Sequence, residues 1–187
     1  MLFGGDFHFN HSKVIGYCKR PFKDKEEMNE TLITSWNMKA DPNSIIYING
    51  DLVFCKHNDG FVHYLLSTLK GKIKLIPGDH DRDLIKFLRR NPKFRSKIDI
   101  MDSVCRVKWE KQNIVLCHWC MRVWPKSHYN SWHLYAHSHG SLPSIGKSHD
   151  IGIDNNNYQL LWFEEIVELM KNKPDNPNLI KKREKVS

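Results

Sequence analysis

The spacing of apolar residues changes period repeatedly along the chain, and each change suggests an element. From residue 23 to 37, Asp24 stands as an N-cap with Glu27 three residues on, a capping-box arrangement. Met28, Leu32, Ile33 and Trp36 then recur at helical spacing. Residues 44–49 (Ser-Ile-Ile-Tyr-Ile-Asn) are rich in β-branched and aromatic side chains and stop at Gly50, which predicts a strand. Phe61, Leu65 and Leu69 mark a second helix, and residues 72–76 a second strand closed by Pro77-Gly78. Leu84, Ile85 and Leu88 predict a helix over 82–90. Strands dominate after that. Residues 102–109 and 113–117 form a hairpin pattern around Glu110-Lys111-Gln112. Strands are expected at 133–136, 151–154 and 160–163, and a closing helix from 164 to about 171. Helices alternating with strands, then mostly strands, imply an α/β sandwich of two mixed sheets.

Composition narrows the class. A chain of 187 residues, 40% hydrophobic, suits one domain, expected over 1–170, with a basic tail over 171–187. No apolar run reaches the roughly 20 residues that span a bilayer, so no membrane partner is expected. A candidate ligand as early as Asp6 leaves no room for a removable signal peptide, and a cytoplasmic protein is expected. Five scattered cysteines, an odd number, read as reduced thiols. Cys117 and Cys120 form a C-x-x-C with no second pair, so they read as packing residues flanking His118. The formal net charge of +8 favours an anionic partner without identifying nucleic acid.

The chemistry concentrates in five short segments, each following an apolar, strand-like run. They are Gly5-Asp6-Phe7-His8, Gly50-Asp51, Gly78-Asp79-His80-Asp81, His118, and His137-Ser138-His139-Gly140. In open α/β sheets ligands bind outside the carboxyl ends of strands, so these side chains are expected to converge. Asp6 and His8, like His137 and His139, are two apart, which on a strand points both side chains the same way. Carboxylates mixed with imidazoles suit Mn, Fe, Zn, Ni or Co better than Ca. Arg20, Asn10 and His11 lie near the first segment and are candidates for contacting a substrate phosphate. The aromatic segment 124–135, with His128 and His133, reads chiefly as core packing. His57, His63 and His149 read as surface residues, and Asp150 and Asp154 as turn formers.

These segments resemble, in their order, those of the calcineurin-like metallophosphoesterase superfamily: D-x-H, G-D, G-N-H-[DE], H, G-H-x-H. The likeness is to a small bacterial and phage branch and extends over roughly residues 3 to 167. It takes in Asp6-Phe7-His8-Phe9-Asn10-His11, the run Gly16 to Phe22, and Gly152 to Tyr158. The resemblance implies a four-layer αββα sandwich and two divalent metal ions, manganese first among Fe, Zn, Ni, Co and Mg. By the same resemblance Asp6, His8, Asp51 and His139 hold one ion, and Asp51 bridges to a second held by Asp79, His118 and His137. The implied activity is hydrolysis of phosphate esters, chiefly phosphodiesters of nucleotide type, by metal-activated hydroxide. His80 would assist the leaving group, oriented by Asp81. Nucleic acid is a further substrate class, and a non-catalytic metal-binding scaffold is the alternative. Asp79 departs from the family's usual Asn, and Ala136 from its usual Gly.

Overall fold

A computed structural model of the chain describes residues 1–55 and 59–177. The first sheet has five strands in the order β4-β3-β2-β1-β9. Strands β1 (Leu2–Gly4), β2 (Ile45–Asn49), β3 (Lys72–Ile76) and β4 (Ile98–Ile100) run parallel, and β9 (Leu161–Trp162) is antiparallel to β1. The second sheet runs β5 (Val104–Trp109), β6 (Gln112–Cys117), β7 (Trp132–Tyr135), β8 (Ser148–Asp150). Its β5–β6 pair is antiparallel and the other two pairs are parallel. Both sheets are mixed, as the pattern of runs implies.

Parallel neighbours require crossovers, and the helices supply them. Between β1 and β2 come α1 (Ser12–Tyr17) and α2 (Lys25–Lys39). Helix α3 (Asp59–Thr68) links β2 to β3, and α4 (Arg82–Arg90) links β3 to β4. Because the strand order advances steadily away from β1, right-handed crossovers put α2, α3 and α4 on one face. Met28, Leu32 and Trp36 of α2, Leu65 of α3 and Phe87 of α4 bury there against Ile46, Ile48, Ile73 and Leu75. A second apolar layer lies between the sheets. It joins Phe3 and Ile76 of the first sheet to Ile114, Leu116, Trp132 and Leu134 of the second, with Phe163, Ile166 and Met170 of α5 (Phe163–Met170). On the other side of β7 the Trp124 ring packs on His133, at 5.3 Å between centroids, which agrees with a packing role for that segment.

The local signals map closely onto elements. Asp24 caps α2 by accepting from the Glu27 amide at 2.8 Å, although Glu27 reaches back to the Lys23 amide, one residue earlier than a capping box requires. The hairpin turns at Glu110 and Lys111, both with positive φ (46° and 70°), which matches the twist of the flanking strands. The pattern misses α1 and β4, each too short to show a period. It also misplaces one strand: β8 covers 148–150, and Ile153–Asn155 is a 3-10 turn. His63 and His149 are half-buried, more enclosed than a surface reading implies; His63 stacks edge-on against Phe94 at 4.8 Å. His57 and most of the basic tail (178–187) lie outside the described residues.

Candidate metal centre

Strands β1, β2 and β3, and separately β6 and β7, are parallel, so their carboxyl ends share an edge within each sheet. One buried side chain ties the two edges together. Asn49, the last residue of β2, donates through Nδ2 to the carbonyls of Cys117 (3.2 Å) and Leu134 (2.7 Å), near the ends of β6 and β7. Its own carbonyl accepts from His118 Nδ1 at 2.8 Å. A carbonyl can only accept, so the proton sits on Nδ1 and the Nε2 lone pair of His118 faces the centre.

All seven side chains expected as ligands converge. Asp6, His8 and His139 offer ligand atoms within 4.8 Å of one another, as do Asp79, His118 and His137, and as do Asp6, Asp51 and His118. Asp51 lies between the first two groups, its Oδ2 3.5 Å from His8 Nε2 and 3.7 Å from His118 Nε2. Asp79 Oδ2 lies 3.3 Å from His137 Nδ1.

The local backbone differs from the extended geometry that the alternate spacing suggests. β1 ends at Gly4 and β7 at Tyr135, and the ligands come after them. Asp6, His8, Asp51, His137 and His139 all have φ between 46° and 67°, in the left-handed region. Asn10, beside the site, adds a sixth at 65°, of thirteen non-glycine residues with positive φ among the described residues. Each such residue costs on the order of 1–2 kcal/mol, and strain of this kind concentrates where surrounding structure fixes it for function. Here the loops fix one another. Asp6 N donates to Gly50 O (3.1 Å), His8 N to Asp51 O (2.8 Å) and Phe9 N to Leu52 O (3.0 Å).

Each of two carboxylates uses one oxygen as a clamp and turns the other to the centre. Asp6 Oδ2 accepts from the His137 amide at 2.7 Å, while its Oδ1 is buried with no hydrogen-bond partner. Asp51 Oδ1 accepts from the His80 amide at 2.8 Å, while Oδ2 faces the imidazoles. Both ring nitrogens of buried His8 also lack a partner. Unsatisfied buried polar atoms are rare in native folds, and Asp6 Oδ1 and His8 Nε2 belong to residues of one ligand group, which fits a cation. Burial, then the Arg20 charge, lowers the His8 pKa to about 2, leaving a neutral imidazole lone pair to donate. Burial also raises Asp6 well above the usual carboxylate range, an unfavourable state that a cation would relieve.

Two glycines make room for this packing. A Cβ on Gly50 (φ +77°) would stand 2.5 Å from His118 Nδ1, and one on Gly78 2.5 Å from Asp51 Oδ1 and 2.9 Å from the same ring. Glycine at these positions lets the His118 ring approach both loops closely. Ala136 has no positive φ and is tolerated.

Three assignments change. The Arg20 side chain has no exposed surface, and its fork is committed inward. Nε and Nη2 donate to Asp154 at 2.7 Å each, Nη2 also to Asp6 O and Nη1 to Phe7 O. It ties the first ligand loop in place and has no free edge for a substrate. Asn10 is likewise occupied, donating to Phe54 O and accepting from Lys25 Nζ, although it borders the open groove. Asp81 does not orient the His80 ring. Its carboxylate accepts the amides of Asp51, Leu52 and Gly78 at 2.8–3.0 Å, and among the described residues no hydrogen bond joins it to that ring. The exposed His80 imidazole instead sits edge-on to His8 at 5.4 Å, with His11 5.8 Å away. His11 stacks on Phe54 at 4.6 Å and faces the groove.

Two carboxylates read from the sequence as turn formers belong to the centre's support. Asp154 Oδ2 accepts from His139 Nδ1 at 2.7 Å, which fixes the ring and turns Nε2 to the ligand cluster. Burial pushes the His139 pKa down, but this bond and the Asp6 charge raise it overall. Burial pushes Asp154 up, but His139 and Arg20 hold it below the usual carboxylate value. Asp150 accepts from Ser138 Oγ and the Gly140 amide, and so pins the loop carrying His137 and His139.

No family model matches the chain. Over its described residues, no helix is long and apolar enough to cross a membrane. A solved structure of unknown function from Aquifex aeolicus, AQ665, shares the fold: TM-score 0.67 at 20% identity, covering 90% of this chain and 98% of that one. YfcE, a phosphoesterase from E. coli, aligns at a TM-score of 0.40 and 16% identity over 81% of this chain and 76% of its own. An uncharacterised protein of Methanocaldococcus jannaschii, MJ1445, is 31% identical over 177 residues, spanning 89% of this chain and 88% of that one. At that identity over nearly the whole of both chains, this protein belongs to the family of MJ1445.

Proposed function

We propose that the protein is a dimetal phosphoesterase acting on phosphodiesters of nucleotide type. One observation carries the reading: the seven motif residues converge, and Asp6 Oδ1 and His8 Nε2, which faces Asp51, are left buried without hydrogen-bond partners among them. Asp6, His8, Asp51 and His139 would hold one divalent ion, and Asp51, Asp79, His118 and His137 the other. The pair of ions would supply Lewis acidity toward the phosphoryl oxygens and activate water for in-line attack. The protein's own part is positioning. Asn49, Asp154 and the glycines hold imidazole lone pairs in place, so no reorganisation is needed at reaction. His80 is exposed and lies beside His8, and in this reading it would donate a proton or hydrogen bond to the departing oxygen. Mixed carboxylate and imidazole ligands favour manganese or iron-group ions over calcium.

The test is hydrolysis of bis(p-nitrophenyl) phosphate by metal-free protein given Mn²⁺, beside a His80→Ala control. The reading expects turnover that EDTA abolishes; with the dinucleotide pApA, whose alkoxide leaving group needs a proton, His80→Ala should lower turnover at least about tenfold, consistent with loss of a general acid. A protein that binds manganese yet hydrolyses no phosphate ester would instead be a metal-binding scaffold.

A further inference from the structure

The metal centre opens on one side into a groove of about 1130 Å³, large for a single small ester. His8, His80, His137 and His139 border its inner end. The outer wall is α1 and the turn after it, contributing Lys13, Tyr17 and Lys19. Lys13 and Tyr17 are four residues apart and therefore share a helix face. Tyr17 is 74% exposed. Among the described residues, none of these three side chains has a hydrogen bond, ion pair or ring contact. Lys19 stands in the left-handed region (φ 51°), just before Arg20 and its buried anchor. The backbone beneath this wall is thus tied to the ligand loops, while its side chains are unengaged. Phe54, stacked on His11, contributes an apolar surface to the same groove.

Two cations and an unstacked aromatic ring, one groove-width from a phosphate-binding centre, match a particular chemistry. Resting on the phosphoesterase reading, we infer that α1 forms a second subsite. There Lys13 and Lys19 hold a further phosphate and Tyr17 stacks on a nucleobase. The preferred substrate then carries at least two phosphates and a base, as a dinucleotide or the end of a single-stranded oligonucleotide does. Stacking on an aromatic ring tolerates any base, so little base preference is expected. The lysine contribution weakens with salt because both groups are solvent-exposed.

The experiment uses the full chain loaded with manganese. It compares kcat/KM for the dinucleotide pApA with that for bis(p-nitrophenyl) phosphate, in the wild type, Tyr17→Ala and the double variant Lys13→Gln/Lys19→Gln. Calorimetry measures binding of the non-hydrolysable methylenephosphonate analogue of pApA to the same three proteins. The subsite predicts that each variant lowers the ratio of dinucleotide to small-ester kcat/KM at least threefold and weakens analogue binding at least threefold. The loss in the lysine variant should shrink at high salt. Ratios and affinities within threefold of the wild type would overturn the subsite. If the wild type hydrolyses neither substrate the phosphoesterase reading fails, and the binding comparison still decides whether the wall holds a dinucleotide.

Discussion

Replacing Asp154 by Asn preserves shape and removes one charge, so it isolates what the carboxylate does. In the native site two oxygens serve three donors: Oδ1 accepts from Arg20 Nε, and Oδ2 accepts from Arg20 Nη2 and His139 Nδ1, all at 2.7 Å. An amide has one oxygen. If it faces Arg20 Nε, the NH₂ group meets His139 Nδ1 and drives the ring proton to Nε2, the atom turned to the metal cluster. If it faces His139, the guanidinium Nε meets an N–H. Either way Arg20, whose side chain is fully buried, loses its counter-charge. Breaking a buried pair costs roughly 3–5 kcal/mol, and retaining one acceptor puts this change near 3. For a chain of this size that lowers Tm by roughly 6–12 °C, at about 2–4 °C per kcal/mol. Manganese affinity should fall about 10- to 100-fold, the usual cost of losing a carboxylate behind a ligating histidine. Calorimetric melting of the metal-free protein and titration with Mn²⁺ measure the two effects separately. A variant with Tm within 2 °C and affinity within about twofold of the wild type would refute the role given to the Arg20–Asp154–His139 chain.

Three further outcomes follow from the same geometry. Asp79 is half-exposed and 3.3 Å from His137 Nδ1. As an anion it repels a substrate phosphate, so Asp79→Asn should preserve or raise turnover; a loss beyond about tenfold, 1.4 kcal/mol in barrier, would give the carboxylate its own role. In Gly78→Ala a methyl group would press Asp51 Oδ1 and the His118 ring; manganese binding should weaken at least about tenfold, and unchanged binding by titration would show that the loop yields freely. Burial lowers the His133 pKa to about 4, while its Nδ1 bonds to Val115 O. The unfolded chain takes up a proton near 6.5 that the native state refuses until about 4. This contribution is therefore complete above pH 6.5 and declines by on the order of 3 kcal/mol toward pH 4. Melting curves of metal-free wild type and His133→Asn should converge as pH falls through that window; parallel curves would contradict it.

What the sequence shows and what it hides have physical reasons. The long helices and the strands at 45–49 and 72–76 are legible because burial of one face imposes a period on many residues. Helix α1, with six residues, and β4, with three, are too short to impose one. The candidate ligand residues are legible because a metal site would demand several donors of a narrow chemical kind, and such donors recur here in short segments. Their backbone was not: the alternation that suggests strand at Asp6 and His8 comes instead from two left-handed residues flanking one between them. The supporting residues are hidden most completely. Asn49, Asp150 and Asp154 act through partners as distant in sequence as Leu134 (85 residues) and Arg20 (134 residues), and nothing local sets them apart from turn formers. Arg20 shows the converse: a guanidinium near the candidate ligands suggests substrate contact until burial shows it turned inward.

Anomalous diffraction from crystals grown with manganese tests the central claim most directly. The account predicts two peaks about 3.5–4 Å apart, one among Asp6, His8, Asp51 and His139 and the other among Asp51, Asp79, His118 and His137. Crystals at saturating manganese with no peak among these seven side chains, or with peaks only elsewhere on the surface, would contradict it.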